Sequence, residues 1–199
     1  MGEAPTFLGY SVHRDRENHI IHLSQHLFVD KIIEKFKKEG LHPVKTPWIP
    51  GKFVLPKTWE VVEGSTKGYQ EEVGSINYLA NGTRPDISYT MMRLGEANAG
   101  PSEPHLELLK HLWRYIVGTK KLAIRCGGKM NPRDLHLRGT YHIDLRQKWV
   151  IQRLGMGEFT LEHVGTNDMV ADGLTKPFNQ AKHAVFVRQL GLTVVPEVE

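Results

Sequence analysis

The sequence has a single cysteine, no long apolar run and no visible secretory leader. Cys126 alone can form neither an internal disulfide nor a multi-cysteine zinc site. No apolar stretch approaches the roughly 20 residues that a membrane-spanning helix needs. The start of the chain lacks a basic segment followed by an apolar one. We therefore expect an intracellular protein of a reducing compartment, cytoplasmic or nuclear, with no membrane partner.

The charge balance is mildly basic, with a formal net charge of +4 and an isoelectric point near 9.1. Such a balance permits a nucleic-acid partner without requiring one. Histidine is frequent, with 11 in 199 residues, but no group of histidines has the spacing of zinc ligands. His19 and His22 are expected on opposite faces of one strand, with His26 on the next helix. No metal site is therefore predicted.

The start of the chain is typical of a β-hairpin followed by a helix. Apolar residues alternate on both sides of the polar turn Arg14–Asn18, which predicts two paired strands. Ser24 is a favourable N-cap for a helix. Leu27, Ile32 and Ile33 then recur at helical spacing, which predicts that they face the core.

After a proline-rich connector at 41–68, the pattern predicts three further helices. They are expected in the segments YQEEVGSINYLANG, RPDISYTMMRLGEANAG and PSEPHLELLKHLWRYIVGTK. In the third segment Ser102 is the expected N-cap and Gly118 the expected end. Trp113 and Tyr115 are expected in or beside the core and not as stacking platforms for bases.

Beyond residue 120 the pattern changes to short strands and helices. LAIRCGG, DLHLRG and EFTLEHV favour strands, whereas YHIDLRQKWVIQRLGMG, NDMVADGLTKPF and KHAVFVRQLGL favour helices. The sequence thus predicts an α+β fold in three parts. These are an N-terminal β-hairpin at 1–23, a helical block at 24–120 that includes the connector, and a small α/β tail at 121–199.

Five blocks of the chain occur here in the same order as in the polyprotein of copia-type retrotransposons, which the chain resembles over nearly its whole length. The blocks are FLGY with IIHLSQHLFVDKIIEKF, YQEEVGSINYLANGTRPDISY, LLKHLWRYIVGTK, HIDLRQKWV and EHVGTNDMVADGLTKPF. The resemblance implies a primer-grip-like hairpin at 1–23 and a block at 24–120 similar to the thumb and connection of reverse transcriptase. It also implies a truncated, incomplete RNase H-like segment at 121–199.

The resemblance further implies that catalysis is lost. The family's polymerase carboxylates include a Tyr-x-Asp-Asp turn, and this chain contains no such tetrapeptide. Of the four carboxylates of the family's RNase H domain, only the fourth has a match, Asp172, because the chain passes from HLRGT directly to YHIDLR. One carboxylate cannot hold the Mg²⁺ pair used in phosphoryl transfer. We therefore expect no enzyme activity and no cofactor, Mg²⁺ being the ancestral metal. The alternative for Asp172 is the first turn of a helix, where the dipole stabilises it.

Nucleic-acid binding is the function that the resemblance leaves, with an RNA–DNA hybrid or another nucleic acid as a weakly held partner. The candidate phosphate contacts are Lys31, Lys35, Lys38, Lys110, Arg114, Lys120 and Lys121. The alternative is that these are solvated helix faces balanced by Glu34, Glu39 and Glu107. A second hypothesis is a protein-interaction module that associates with a full-length copia-type polymerase through exposed apolar surface and open strand edges. A third is a non-functional remnant of a decayed element.

Overall fold

The computed structural model describes residues 6–7, 9–49, 62, 64–127, 156, 165 and 169–195. This part of the chain combines an antiparallel sheet with a block of helices, so the predicted α+β class is confirmed. The strands are β1 (Thr6–Phe7), β2 (Tyr10–Asp15), β3 (Ile20–Ser24), β4 (Leu122–Gly127) and β5 (Leu192–Val194). The helices are α1 (His26–Lys35), α2 (Thr66–Gly82), the 3₁₀ helix η1 (Pro85–Ile87), α3 (Ser88–Gly95), α4 (Glu103–Gly118), α5 (Asp172–Thr175) and α6 (Gln180–Gln189).

Strands β2 and β3 form the predicted hairpin. Asn18 closes its turn, because its backbone N–H and its side-chain amide donate to the Asp15 carboxylate at 3.0 and 2.8 Å. These hydrogen bonds lower the pKa of Asp15. His19 follows in the left-handed region, with φ of 55°. The polar turn is therefore specified by local side-chain contacts, as the sequence pattern indicates.

The sheet joins parts of the chain that are far apart in sequence. All five strands pair antiparallel in the order β1-β2-β3-β4-β5. The strand predicted in LAIRCGG is confirmed as β4, which pairs with β3 of the hairpin on one side and with β5 on the other. The sequence pattern does not predict β5. Strands from the first and third predicted segments thus share one sheet, while the proposed segment boundaries stay predictions.

The hydrophobic core lies among α1, α2, α3 and α4. Apart from Val29, its most enclosed aliphatic residues recur at the predicted helical spacing. These residues are Val29, Ile32, Val73, Ile76, Leu79, Ile87, Leu94, Leu108, Leu109, Leu112 and Ile116. Trp113 and Tyr115 are buried as well, so neither is a stacking platform. Ser102 caps α4 and shares a reciprocal capping box with His105.

Two predictions at the start of α1 are wrong. Ser24 is the last residue of β3, where its hydroxyl hydrogen-bonds to His26 Nδ1 at 2.9 Å, and Gln25 is the residue that precedes the helix. Leu27 is 47% exposed, because Val29 occupies the core position in that turn. The helix starts later than the sequence suggests because the ladder between β2 and β3 extends to Ser24.

The proline-rich connector is partly packed against the core. Residues 41–49 contain no helix or strand, but Trp48 is buried, and the Thr46 hydroxyl donates to its carbonyl at 2.9 Å. The ring of His111 in α4 bonds to the Thr46 carbonyl at 2.9 Å. Helix α2 begins at Thr66, inside the predicted connector. Residues 50–61 and 63 lie outside the described residues.

The predicted tail is described only in part. The predictions for DLHLRG, YHIDLRQKWVIQRLGMG and EFTLEHV fall outside the described residues, apart from Met156. The helix predicted in KHAVFVRQLGL is confirmed as α6, whose N-cap Asn179 accepts from the Lys182 N–H at 2.9 Å. The helix predicted in NDMVADGLTKPF is the single turn α5. None of the described helices is both long and apolar enough to cross a membrane.

Candidate nucleic-acid interface

Helices α1 and α4, which carry most of the predicted phosphate contacts, lie side by side. Asp30 in α1 pairs with Lys120, which follows the end of α4, at 2.9 Å. The ring of Phe36, just past the end of α1, lies 5.7 Å from the ring of Trp113 in α4. The two helices therefore run in opposite directions. Asp30 and Lys120 meet at one end of this contact between the helices, and Phe36 and Trp113 meet further along it.

Lys38, Lys120 and Arg114 are among the predicted contacts that already have protein partners, and the Lys35 nitrogen lies 4.7 Å from the centroid of the Phe36 ring. Lys38 pairs with Glu72 at 3.0 Å, and Lys120 pairs with α1 as described above. Arg114 Nε donates to the His42 carbonyl at 2.8 Å. A phosphate group would have to compete with these partners for the same cations. Their contribution to nucleic-acid binding is reduced accordingly.

The other four predicted contacts are exposed, and they are Lys31, Lys35, Lys110 and Lys121. Exposed acids are interleaved with them, namely Asp30 and Glu34 on α1 and Glu107 on α4. Charges of both signs on one surface offset each other, and salt screens exposed charges. The α1–α4 surface therefore offers weak and salt-sensitive attraction to a polyanion.

The sheet assembles a second basic surface that the sequence reasoning missed. Strand pairing places His13 opposite His22, and His22 opposite Arg125. Near the hairpin turn a small cleft of about 280 Å³ is lined in part by Arg14, Arg16 and His19. The high frequency of basic residues in the hairpin sequence could have predicted part of this surface. The contribution of Arg125 depends on the pairing of β3 with β4, which no local pattern encodes.

Asp172 lies in the first turn of α5, as the residue-based alternative predicts. Its carboxylate pairs with Lys176 one turn later at 3.0 Å. Both residues line an open cleft of about 630 Å³ beside α6. In the part of the chain that the structure describes, no group of three or more His, Cys, Asp or Glu side chains could hold a metal ion. The carboxylate of Asp172 therefore forms an ion pair with a lysine.

Gly173, the next residue, has a packing role. A Cβ at this position would lie 2.5 Å from two ring carbons of Phe186 in α6. Phe186 is buried and meets the ring of Phe178 edge-on, with centroids 5.6 Å apart. A side chain on Gly173 would therefore force α5 away from α6. The ADGLT stretch docks one helix on another through its glycine.

The most completely buried charges among the described residues are Arg84 and Asp86. Arg84 Nε and Nη2 donate to the two Asp86 oxygens at 2.9 and 2.8 Å. The guanidinium also donates to the carbonyl and the hydroxyl of Thr119 at 3.0 and 2.7 Å. Tyr115 donates its hydroxyl to Asp86 at 2.7 Å, and His183 Nε2 lies 3.0 Å from the Tyr115 oxygen. These contacts connect η1, α4 and α6.

The protonation states in this network follow from burial and pairing. Burial alone would lower the pKa of Arg84 and raise that of Asp86, but the charge of each partner and the hydrogen bonds of the network together reverse both shifts. Burial raises the pKa of Tyr115 and lowers that of His183. At neutral pH the network is therefore an ion pair flanked by a neutral phenol and a neutral imidazole. Since Tyr115 donates its proton to Asp86, Nε2 of His183 is the donor to the Tyr115 oxygen.

Comparison with curated proteins finds relatives of one kind. The retrovirus-related Pol polyprotein from transposon TNT 1-94 of Nicotiana tabacum is 30% identical over 134 residues, covering 64% of this chain and 10% of that protein. The corresponding polyprotein from transposon RE1 of Arabidopsis thaliana is 36% identical over 104 residues, covering 52% of this chain and 7% of that protein. This chain is similar in sequence to retrovirus-related Pol polyproteins from transposons.

The matches confirm the predicted retrotransposon resemblance over 52–64% of this chain, and they cover only part of each relative. A putative transposon Ty5-1 protein of Saccharomyces cerevisiae is 28% identical over 125 residues, covering 63% of this chain and 40% of that protein. The matched region spans about a tenth or less of the two plant Pol polyproteins. No family model and no solved structure matches the chain.

Proposed function

We propose that this Pol-related chain binds nucleic acid weakly and without sequence preference, and that it carries out no phosphoryl transfer by itself. The observation that carries the proposal is the presence of two basic surfaces in a relative of Pol polyproteins. One lies on α1 and α4, with three exposed lysines on the helices and a fourth, Lys121, just beyond α4. The other lies on the sheet, where basic residues of β2, β3 and β4 share one row.

The expected binding is electrostatic. Lysine and arginine that neutralise backbone phosphates release condensed counterions, so affinity falls steeply as salt rises. The interleaved acids and the protein partners of Lys38, Arg114 and Lys120 weaken this attraction. We expect dissociation constants on the order of micromolar or weaker at physiological salt. An RNA–DNA hybrid is the ligand class that the Pol relationship favours.

The surroundings of Asp172 support the proposed lack of catalysis. A Mg²⁺ pair needs several carboxylate oxygens in near-octahedral geometry. Asp172 instead pairs with Lys176, whose positive charge opposes a cation at the same carboxylate. Incubation of the chain with a labelled RNA–DNA hybrid and Mg²⁺ should yield no cleavage. Cleavage that disappears in Asp172→Asn would overturn this half of the proposal.

A salt titration of hybrid binding, followed by fluorescence anisotropy, tests the binding half. The logarithm of the association constant should fall linearly with the logarithm of salt concentration. The double variant Lys31→Gln/Lys110→Gln should lower the slope by about one for each lysine that contacts a phosphate. Its matched control is Lys67→Gln/Lys182→Gln, which removes the same charge from exposed positions on α2 and α6.

Three outcomes of this titration are informative. A lower slope in the first variant alone supports phosphate contacts on α1 and α4. Equal loss of affinity in both variants would assign binding to net charge, and absence of binding at low salt would overturn the proposal. Retention of a full-length Pol polyprotein by a chain that binds no hybrid would instead support the interaction-module hypothesis.

A further inference from the structure

One cross-strand row of the sheet collects three basic side chains. His13 on β2 lies opposite His22 on β3, and His22 lies opposite Arg125 on β4. Side chains at directly paired positions point to the same face of a sheet and lie within reach of each other. The His13 and His22 rings confirm this proximity, since their centroids are 5.8 Å apart with planes tilted by 39°. Like charges directly opposite each other are unfavourable in the absence of a counter-charge.

His22 is the central member of the row and is 93% buried, with a relative exposure of 7%. Its Nδ1 is enclosed and has no hydrogen-bond partner. A buried N–H without an acceptor is costly, so the favoured tautomer keeps a lone pair on Nδ1 and the proton on Nε2. The ring thus has one N–H donor to offer, and the donor lies on the less enclosed nitrogen.

The charges around His22 are mostly positive. Burial lowers the pKa of His22, and the nearby His13 and Arg125 lower it further, while Asp15 alone opposes the shift. The Asp15 carboxylate is already engaged by the N–H and side-chain amide of Asn18 in the hairpin turn. The row therefore presents one guanidinium cation, the imidazole of His13 and one fixed N–H donor on His22, without an acidic partner inside it.

We propose that His13, His22 and Arg125 form a binding site for a phosphate group on the face of the sheet. Arg125 is exposed and supplies the planar guanidinium that pairs with two phosphate oxygens. His13 is half-buried and supplies a second donor, and His22 supplies the third through Nε2. The phosphate belongs either to a nucleic-acid backbone, in which case the inference rests on the proposed function, or to a small phosphate compound.

A metal site fits this row less well. Two imidazoles without a third ligand make a poor transition-metal site, and no described group of three or more metal-ligating side chains exists. The neighbouring guanidinium would also repel a cation. An anion fits the row better than a metal cation, because it pairs with the guanidinium and offsets the like charges of the row.

Imidazole NMR of the full chain tests the proposal directly. Long-range ¹H–¹⁵N spectra of ring-labelled histidine are recorded during titration with inorganic phosphate, and separately with a short single-stranded oligonucleotide. At least one of the two ligands should shift the His13 and His22 signals. Arg125→Gln should weaken the phosphate-induced shift about tenfold or more, since a bidentate charged contact is lost. Lys67→Gln is the matched control, because it removes one exposed positive charge on another element.

The possible results separate the site from the general binding function. Shifts of both histidines that depend on Arg125 support the site, and the ligand that produces them identifies the source of the phosphate. Salt-sensitive oligonucleotide binding without movement of these signals overturns the site and leaves the proposed function standing. An absence of shifts with both ligands, or shifts unchanged in Arg125→Gln, also overturns it. Arg125→Lys keeps the positive charge but removes the planar guanidinium that pairs with two oxygens. It serves as the second variant if Arg125→Gln does not fold.

Discussion

Asp86 in the helical block and Asp172 in the C-terminal segment differ in burial and in the partners of their carboxylates. Asp86 is 3% exposed and accepts hydrogen bonds from Arg84 and from Tyr115. Asp172 lies on a single helical turn and pairs with a lysine whose side chain is 60% exposed. Both belong to blocks that resemble the transposon polyprotein. Asp172, for which the sequence resemblance predicts a catalytic ancestry, therefore has the simpler surroundings.

Asp86 illustrates that a strongly perturbed pKa does not by itself mark a reactive site. Burial pushes its pKa upward, whereas the charge of Arg84 and the hydrogen bonds from Arg84 and Tyr115 together bring it below its usual value. Such a balance is the signature of a structural ion pair as much as of catalysis. The three guanidinium nitrogens of Arg84 and both carboxylate oxygens of Asp86 have hydrogen-bond partners. The hydrogen bonds continue through Tyr115 to His183 in α6. The helical block and α6 are thus connected through a satisfied polar network.

The largest expected effect comes from breaking the buried pair. Arg84→Met removes the guanidinium and leaves the Asp86 carboxylate buried without its counter-charge. We expect the free energy of unfolding to fall by about 3–5 kcal/mol, measured by urea denaturation. Tyr115→Phe removes the hydrogen bond to the same carboxylate and the one that the Tyr115 oxygen accepts from His183. It should cost about 1–3 kcal/mol, which keeps the test informative if the first variant does not fold.

Arg93→Met is the control for the buried pair. Arg93 pairs with Glu96 at 2.8 Å, but their side chains are 29% and 43% exposed. Exposed pairs contribute about 1 kcal/mol or less. Equal destabilisation by Arg84→Met and Arg93→Met would contradict the special role given to the buried network.

The second effect concerns the contact between α5 and α6. Gly173→Ala places a methyl group against the Phe186 ring, and overpacking of this kind costs about 1–3 kcal/mol. Gly74→Ala is the matched control, because an added Cβ in that part of α2 meets nothing within 4 Å. It should stabilise the protein by up to about 1 kcal/mol through helix propensity. Thermal unfolding of both variants checks the pair, and recovery in Gly173→Ala/Phe186→Leu would locate the clash.

The third effect is a dependence of stability on pH. Burial lowers the pKa of His183 in the folded protein, so the unfolded chain takes up the proton first as pH falls through about 6.5. The contribution of His183 to the free energy of unfolding is therefore fully present above that pH and declines below it. The decline is about 1.4 kcal/mol for each unit by which folding lowers the pKa. His105, His111 and His22 contribute in the same direction.

His183→Gln isolates the share of this one imidazole. Glutamine can still donate to the Tyr115 oxygen but does not titrate, so the free energy of unfolding should fall less between pH 7 and pH 5 than in the parent protein. Urea denaturation at several pH values measures the difference. An identical pH profile in the two proteins would contradict the assignment of a neutral, buried His183.

The contrast between local and long-range features also explains what the sequence could predict. The spacing of Ile76 and Leu79, or of Leu108 and Leu112, predicts buried helices because the information is local. The Asp15–Asn18 turn is equally local. The pairing of β4 with the hairpin, the strand β5 and the contact of His183 with Tyr115 depend on the tertiary fold. The row that contains Arg125 is long-range in the same sense, which is why the predicted cations were confined to helix faces and loops.

The smallest expected effect is at Asp172. Asp172→Asn removes a pair spaced by four residues on one short helix, and such pairs contribute about 0.3–0.5 kcal/mol. The free energy of unfolding should therefore change by about 0.5 kcal/mol or less in urea denaturation, far less than in Arg84→Met. Lys176→Gln should match it, because both variants remove the same pair. A large stabilisation by Asp172→Asn alone would mean that the carboxylate is held under strain, as expected of a ligand position whose metal is missing. That result would reopen the catalytic interpretation that its pairing with Lys176 opposes.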